Sequence, residues 1–255
     1  MDAIVTAGGI PEVDDPLYSF TQGNPKVLLE LAGKPMIQWV LEALAAADGV
    51  ERIAVIGLPV PLSIPFARPV IFLEGKGDLL ANVRSAAGEL FKDGPCPERV
   101  LLVSGDVPSI QAAMVDWIIA QAVQSQHDLY YPVIPRAAME KRFPGAHRTY
   151  LKLKDAEVCG GDVMIINPAL AMEAHPLWDQ IVANRKNPLK QASLLGTNVL
   201  MLLLGRLTLD DAVNEVSQRL SVRGRAIVSP YAEMGMDVDK PHQLELLRKD
   251  MAARL

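Results

Sequence analysis

Short apolar runs, each closed by glycine, proline or charge, recur along the first half of the chain. "AIVTA" (Ala3 to Ala7), "RIAVIG" (Arg52 to Gly57), "RPVIFL" (Arg68 to Leu73), "RVLLVSG" (Arg99 to Gly105) and "DLYYPVI" (Asp128 to Ile134) read as strands. Between them the apolar period lengthens to that of helices. "MIQWVLEALAAA" places Ile37, Val40, Leu41 and Leu44 on one face, with Pro35 suited to a first turn. "DLLANVRSAAGELF" follows Asp78, a capping type, and "SIQAAMVDWIIAQAV" opens on Ser109, another. Near-continuous apolar strands alternating with helices of this length imply crossover connections, a mostly parallel sheet and helices on both of its faces.

The second half is less regular. "RTYLKL" and "GGDVMIINP" look like strand pieces, with helices from Pro168 to about Arg185, then "LKQASLLG", "LMLLLG" and "LDDAVNEVSQRL". A last strand, "RAIVSP", leads to "GMDVDKPHQLELLRKDMA", where Pro241 opens a final helix. No internal repeat or low-complexity linker interrupts the chain. The expectation is one domain over residues 1–255, with 143–188 as an acceptor-side insertion over the sheet.

Composition narrows the function classes. The 255 residues are 50% hydrophobic and 22% charged, ordinary for a globular protein, and the formal charge is −5. No global field draws such a chain to nucleic acid or to anionic lipid, so any phosphate chemistry needs local cations or a metal. Cys96 and Cys159 have no metal or redox spacing and read as buried bystander thiols of a reducing compartment. The opening "MDAIVTAGG" lacks the basic region of a secretory leader. The greasiest stretch, "LLGTNVLMLLLG", holds six unbroken apolar residues, Val199 to Leu204, against roughly 18 for a bilayer span, and reads as a core helix. A cytoplasmic protein is expected.

In parallel α/β sheets ligands bind beyond the carboxyl ends of the strands, so the residues just after each apolar run carry the chemistry. After the first run come Gly8 and Gly9, where bare backbone N–H groups can approach an anion. "GGIPEV" has neither the dinucleotide-binding G-x-G-x-x-G spacing nor a following G-K-[ST], which argues against a dehydrogenase or a P-loop kinase. After "RVLLVS" comes Asp106, whose desolvation is costly without a partner; as a helix cap it is redundant beside Ser109. After the last strand come Asp237 and Asp239, the latter equally readable as the N-cap of the final helix. Two carboxylates from separate strand ends make a hard-oxygen Mg²⁺ site able to neutralise a triphosphate. His127, His147, His175 and His242 have no metal spacing and no serine partner, and no G-x-S-x-G elbow occurs.

Taken together, "TAGG", "NPKVLLELAGKPMIQWVLEAL", "VSGDVPS" and "GMDVDKPHQLELL" resemble, in order and across nearly the whole chain, the nucleotidyltransferases of MobA-like or sugar-phosphate nucleotidyltransferase fold. The resemblance implies a Rossmann-like three-layer α/β/α fold. It implies that Ala7, Gly8, Gly9 and Gly105 wrap a nucleoside triphosphate, that Lys26 meets its phosphates at the reacting centre, and that Asp106 and Asp237 hold Mg²⁺. By the same analogy Gly77 and Asn82 line the base pocket, although a helix N-terminus capped by Asp78 explains that loop equally well. Arg148, Lys152 and Asp162 fall where relatives contact the phosphorylated small-molecule acceptor; Arg148 and Lys152 alternating on a solvated strand face is the plain alternative. The implied reaction joins a nucleoside monophosphate unit to the acceptor phosphate and releases pyrophosphate.

One departure stands out. Relatives continue the glycine loop as G-G-x-G-x-R, whereas this chain reads "GGIPEVDDPLYSF", with Glu12, Asp14 and Asp15, and its first arginine is Arg52. A charge-assisted contact contributes roughly 1.5–3 kcal/mol, which Lys26 and Mg²⁺ can offset. Two rivals follow. A nucleotide-sugar-dependent glycosyltransferase would carry its D-x-D after a central strand, whereas the D-x-D here, Asp237-Val238-Asp239, precedes the last helix. A catalytically weak nucleotide or phosphometabolite binder fits the altered loop.

Overall fold

The computed structural model describes residues 1–58, 66–172 and 205–254. Four parallel strands form one half of its main sheet: β1 (Ala3–Thr6), β4 (Ile53–Ile56), β5 (Val70–Leu73) and β6 (Val100–Ser104), in the spatial order β5-β4-β1-β6. Beyond β6 the sheet continues with β10 (Val163–Ile166), antiparallel to its neighbours, then β7 (Leu129–Pro135). Parallel to β7 lies β11 (Gly224–Val228), while β9 (Glu157–Gly160) and the two-residue β8 (Leu151–Lys152) extend the sheet from the end of β7. β2 (Glu30–Leu31) and β3 (Lys34–Pro35) make a separate hairpin.

Helices cover both faces. The hairpin leads into α2 (Met36–Ala46), which buries Ile37, Val40, Leu41 and Leu44 against β1 and β4, as the periodicity predicts. On the opposite face α3 (Leu79–Leu90) packs Val83, Ala86, Ala87 and Leu90 against Ile4 and Ile56. Its N-terminus is closed by Asp78, whose Oδ1 accepts from Ala81 N–H at 2.8 Å. α4 (Ala112–Val123) returns to the α2 side. It begins after Gln111, not at Ser109. Ser109 is buried elsewhere, its hydroxyl against Met251 and its carbonyl accepting from Arg254 at 3.1 Å. Short helices α1 (Tyr18–Thr21), α5 (Arg136–Arg142) and α6 (Ala169–Met172), then α7 (Leu209–Leu220) and α8 (Pro241–Ala252), complete the described elements. Pro241 opens α8 as expected, and α7 is closed by a reciprocal Thr208–Asp211 capping box.

Part of the 143–188 segment is built into the sheet itself. β9 and β10 belong to it, and β10 lies between β6 and β7. The helices expected after Met172, "LKQASLLG", "LMLLLG" and the remainder of the 143–188 segment fall outside the described residues. "RTYLKL" is strand only at Leu151 and Lys152, so Arg148 lies in a loop. Of the thiols, Cys159 is buried but Cys96 is exposed, correcting the expectation for the latter. No helix among the described residues is long and apolar enough to cross a membrane.

Register is what makes a site. Thr6 stands opposite both Ile56 and Ser104, so β1, β4 and β6 end level, and Ala7, Gly57 and Gly105 follow side by side. Gly57 adopts φ +100°, and a Cβ there would lie 2.6 Å from both Cα and N of Gly8. Only glycine allows the two strand ends to approach so closely. Gly57→Ala should therefore destabilise the fold by about 2 kcal/mol or more. Gly88→Ala, inside α3 with open space around it, should stabilise by about 0.5–1 kcal/mol. Urea unfolding midpoints of the two variants check both, and equal midpoints would contradict the close approach.

Candidate active site

Five chain segments meet at this edge, tied to one another through the backbone. Gly105 N–H donates to Thr6 O at 2.9 Å, and Val238 N–H donates to Asp106 O at 3.2 Å. Ser104 N–H reaches Asp162 O at 2.9 Å, and Asp162 N–H reaches Met234 O at 2.7 Å. Lys26 N–H donates to Gly9 O at 2.9 Å, fixing the "NPK" turn beneath the glycine loop. Asp162 arrives here because β10 is antiparallel: its first residues, not its last, lie beside the end of β6.

Lys26 is the hub. Its Nζ lies 2.5 Å from Asp106 Oδ2 and 2.6 Å from Asp239 Oδ1, and donates to Val238 O at 3.0 Å. Burial by itself would lower the affinity of this amine for its proton; the charges of Asp106 and Asp239 outweigh it and hold the ammonium above its ordinary range. Arg148 forms an ion pair with Asp237, while its own Nε is buried without a hydrogen-bond partner. Burial raises Asp237 well above the usual carboxylate range, with repulsion from Asp162 adding to it and Arg148 opposing. Burial likewise raises Asp162, joined by repulsion from Asp106. Four carboxylates therefore share two cations, a formal excess of two negative charges in a place largely withdrawn from water.

Such a cluster suits a small divalent cation. One carboxylate oxygen each from Asp106, Asp237 and Asp239 lies within 4.8 Å of the others, and hard oxygen donors are what Mg²⁺ prefers. Asp106 Oδ1 is buried with no hydrogen-bond partner, an arrangement that costs free energy unless a ligand completes it. The residues present thus fit the ion.

The geometry sorts the expected site residues. Lys26, Asp106, Asp237, Arg148 and Asp162 come together, with Ala7, Gly8, Gly9 and Gly105 on the same rim. Asp239, readable as a helix cap, is not one: the N-cap position belongs to Lys240, and the Asp239 carboxylate holds Lys26. The D-x-D spacing noted in the sequence is the signal for this, since two-residue spacing brings side chains to one side of an extended segment. Lys152 is exposed on β8, in register with Glu157, and joins no acid of this cluster among its described contacts. Asn82 is buried, and its Oδ1 accepts from Lys76 N–H at 2.6 Å, pinning the loop that carries Gly77 (φ +98°). Gly8, Gly57 and Gly75 stack beside it, a Cβ on Gly75 meeting Gly57 Cα at 3.4 Å. Neither Gly57 nor Gly75 was singled out by sequence. In the glycine loop Gly8 and Gly9 are exposed and Glu12 and Asp14 face solvent, while Asp15 turns inward to accept from Leu17 N–H at 2.8 Å. Of the histidines, His242 bonds Ala146 O at 3.1 Å and stacks edge-on with His147, and His127 meets the Ser125 hydroxyl; His175 lies outside the described residues.

Known proteins resemble this chain in sequence and in fold. Among curated proteins, 2-C-methyl-D-erythritol 4-phosphate cytidylyltransferase of Prochlorococcus marinus (strain MIT 9313) is 36% identical over 56 residues. That match covers 20% of this chain and spans only 25% of the relative's length. A solved hypothetical transferase from Thermus thermophilus superposes with a TM-score of 0.79 at 36% identity, over 95% of this chain and 98% of that one. More distant likenesses concern the fold alone. The Thermus thermophilus 2-C-methyl-D-erythritol 4-phosphate cytidylyltransferase aligns at 17% identity and TM-score 0.54, covering 100% of both chains. CMP:2-keto-3-deoxy-manno-octonic acid synthetase, solved with CTP, aligns at 16% and 0.54, covering 100% of this chain and 99% of that one. The profile of the MobA-like NTP transferase domain matches residues 3–187, most of the length, and the chain belongs to that family.

Proposed function

We propose that this protein is a Mg²⁺-dependent nucleotidyltransferase that moves a nucleoside monophosphate unit from a nucleoside triphosphate to a phosphorylated small molecule. The observation that carries the reading is the convergence of Asp106, Asp237 and Asp239, with an unpartnered Asp106 oxygen, around the Lys26 ammonium. An oxygen of the acceptor phosphate attacks the α-phosphorus, the bond to the β-phosphate oxygen breaks, and pyrophosphate leaves. The attacking group is already anionic, so no side-chain base is required, in keeping with histidines engaged in local structure. Catalysis then reduces to alignment and neutralisation of charge. When bound, Mg²⁺ supplies the neutralisation of the phosphates.

Each residue has a place in this scheme. The exposed backbone of Gly8 and Gly9 cradles the triphosphate, with the loop acids Glu12 and Asp14 pointing away. Lys26 offers its cation to the reacting phosphates, and Arg148, across the carboxylates from it, serves the acceptor phosphate or the leaving group. The glycines at the ends of β1, β4 and β5 leave a flat floor for the base, beside Asn82. CTP is the first nucleotide to test, because the curated relative is a cytidylyltransferase. The loop's lack of an arginine favours a second reading, a binder that turns over weakly; binding with Mg²⁺ but no pyrophosphate release in the presence of any sugar or polyol phosphate would select it.

A pyrophosphate-release assay with Mg²⁺, each of CTP, GTP, UTP and ATP, and a panel of phosphorylated acceptors tests the proposal. Signal that requires acceptor and metal together is expected. Asp106→Ala should lose metal-dependent turnover while its circular dichroism remains that of the native fold, since its carboxylate serves the ion; unchanged turnover would remove the metal site. Lys26→Ala should lower kcat by roughly 10²–10³-fold, the usual loss when a positioned cation or donor is removed. A rate equal to that of the parent protein would reduce "NPK" to an ordinary loop.

A further inference from the structure

The Lys26 ammonium does not wait in solvent for a phosphate. It sits between Asp106 and Asp239, at 2.5 and 2.6 Å, and these are two of the three carboxylates whose oxygens converge within 4.8 Å. A third bond, to Val238 O at 3.0 Å, anchors it there. The second oxygen of Asp106 remains buried and unpartnered, so the lysine satisfies the cluster only in part. On the other side Arg148 is placed against Asp237 in the same partial manner, with its Nε unsatisfied.

We propose that Lys26 is a built-in counter-ion that competes with the divalent cation for Asp106 and Asp239, so that the cation loads together with a nucleotide rather than ahead of it. The proposal rests on the metal reading given above. Its physical basis is that a cation joining a carboxylate already paired with an ammonium gains less Coulomb energy and meets repulsion from that ammonium. Expelling the ammonium alone would leave it buried and unpaired, which costs more than the pair was worth. A triphosphate changes this balance by accepting the displaced Nζ as the ion takes the carboxylates. Lysine suits the exchange, being a point charge on a flexible stem. By linkage, nucleotide must then strengthen metal binding by the factor by which metal strengthens nucleotide binding.

Lys26→Met, of similar length and without charge, separates this role from a merely structural one. Isothermal titration of the full chain with Mn²⁺ alone, no nucleotide present, is the decisive measurement. The variant should bind Mn²⁺ at least roughly tenfold more tightly than the parent protein, a floor set well below the factor of about 10³ that one unit charge some 4 Å away is worth at an effective dielectric near 20. Mn²⁺ should also raise the melting temperature of the variant more than that of the parent, because the ion replaces the lost counter-charge. Equal or weaker Mn²⁺ binding by the variant would overturn the competition. If Lys26→Met does not fold without metal, Lys26→Gln read in the same titration serves as the second variant. The parent protein with Mn²⁺ and each of the four nucleoside triphosphates tells the two failures apart. Stabilisation there, without a gain in the variant, sinks the competition alone; no stabilisation by any pair, and no Mn²⁺ binding by either protein, sinks the metal reading and this inference with it.

Discussion

Four carboxylates brought to one rim of a sheet repel one another, and the site is organised around the means of holding them there. Asp106, Asp162 and the Asp237–Asp239 pair come from three separate segments of the chain, yet backbone bonds from Ser104 to Asp162, Asp162 to Met234 and Val238 to Asp106 leave them little freedom to separate. Lys26 and Arg148 neutralise part of the charge. Burial, with the repulsion that remains, raises the proton affinity of Asp237 and Asp162, and one oxygen of Asp106 is left unpartnered. An arrangement built only for stability would replace such acids with apolar groups. Its persistence here is intelligible if a more highly charged cation completes it.

The sheet supplies the rigidity this tension requires. β1 is wholly enclosed between β4 and β6, with Ile4 and Val5 facing opposite helix layers, so the ends of the three strands cannot shift independently. The antiparallel β10 brings Asp162 to that rim. α8 begins immediately after the two acids that precede it, and its Leu244, Leu247 and Met251 are buried. On the other side of the rim the stacked glycines Gly8, Gly57 and Gly75 leave a surface with no side chains. Charge is thus gathered on one flank and bare backbone on the other, the two features on which the proposed function draws.

Much of this was legible before any coordinates. Period and length located the parallel strands and α2, α3 and α8, because those elements bury regularly spaced apolar residues. The expectation that Asp106 and Asp237 converge rested on their following strand ends and that for Lys26 on the family resemblance; backbone bonds from Lys26 to Gly9 and from Val238 to Asp106 bring the three together. Local signals did worse where two roles were open to one residue. Asp239 and Ser109 both look like helix caps, yet neither caps a helix: the Asp239 carboxylate pairs with Lys26, and α4 begins only after Gln111. The 143–188 segment was expected as an insertion over the sheet, whereas β10, within it, is a strand of the sheet flanked on both sides.

By itself, then, the amino-acid sequence determined the α/β class, the position of most described elements and the inventory of charged side chains available for phosphate chemistry, because periodicity and residue type are local properties. Only the tertiary structure decided which acids share a cluster, that Lys26 is held by Asp106 and Asp239, that Lys152 joins none of those acids among its described contacts, and that Gly57 must be glycine. Those outcomes depend on strand order, strand direction and Cα-level approach between segments far apart in the chain. Such distances are set by packing and by backbone hydrogen bonds that no short window of sequence contains.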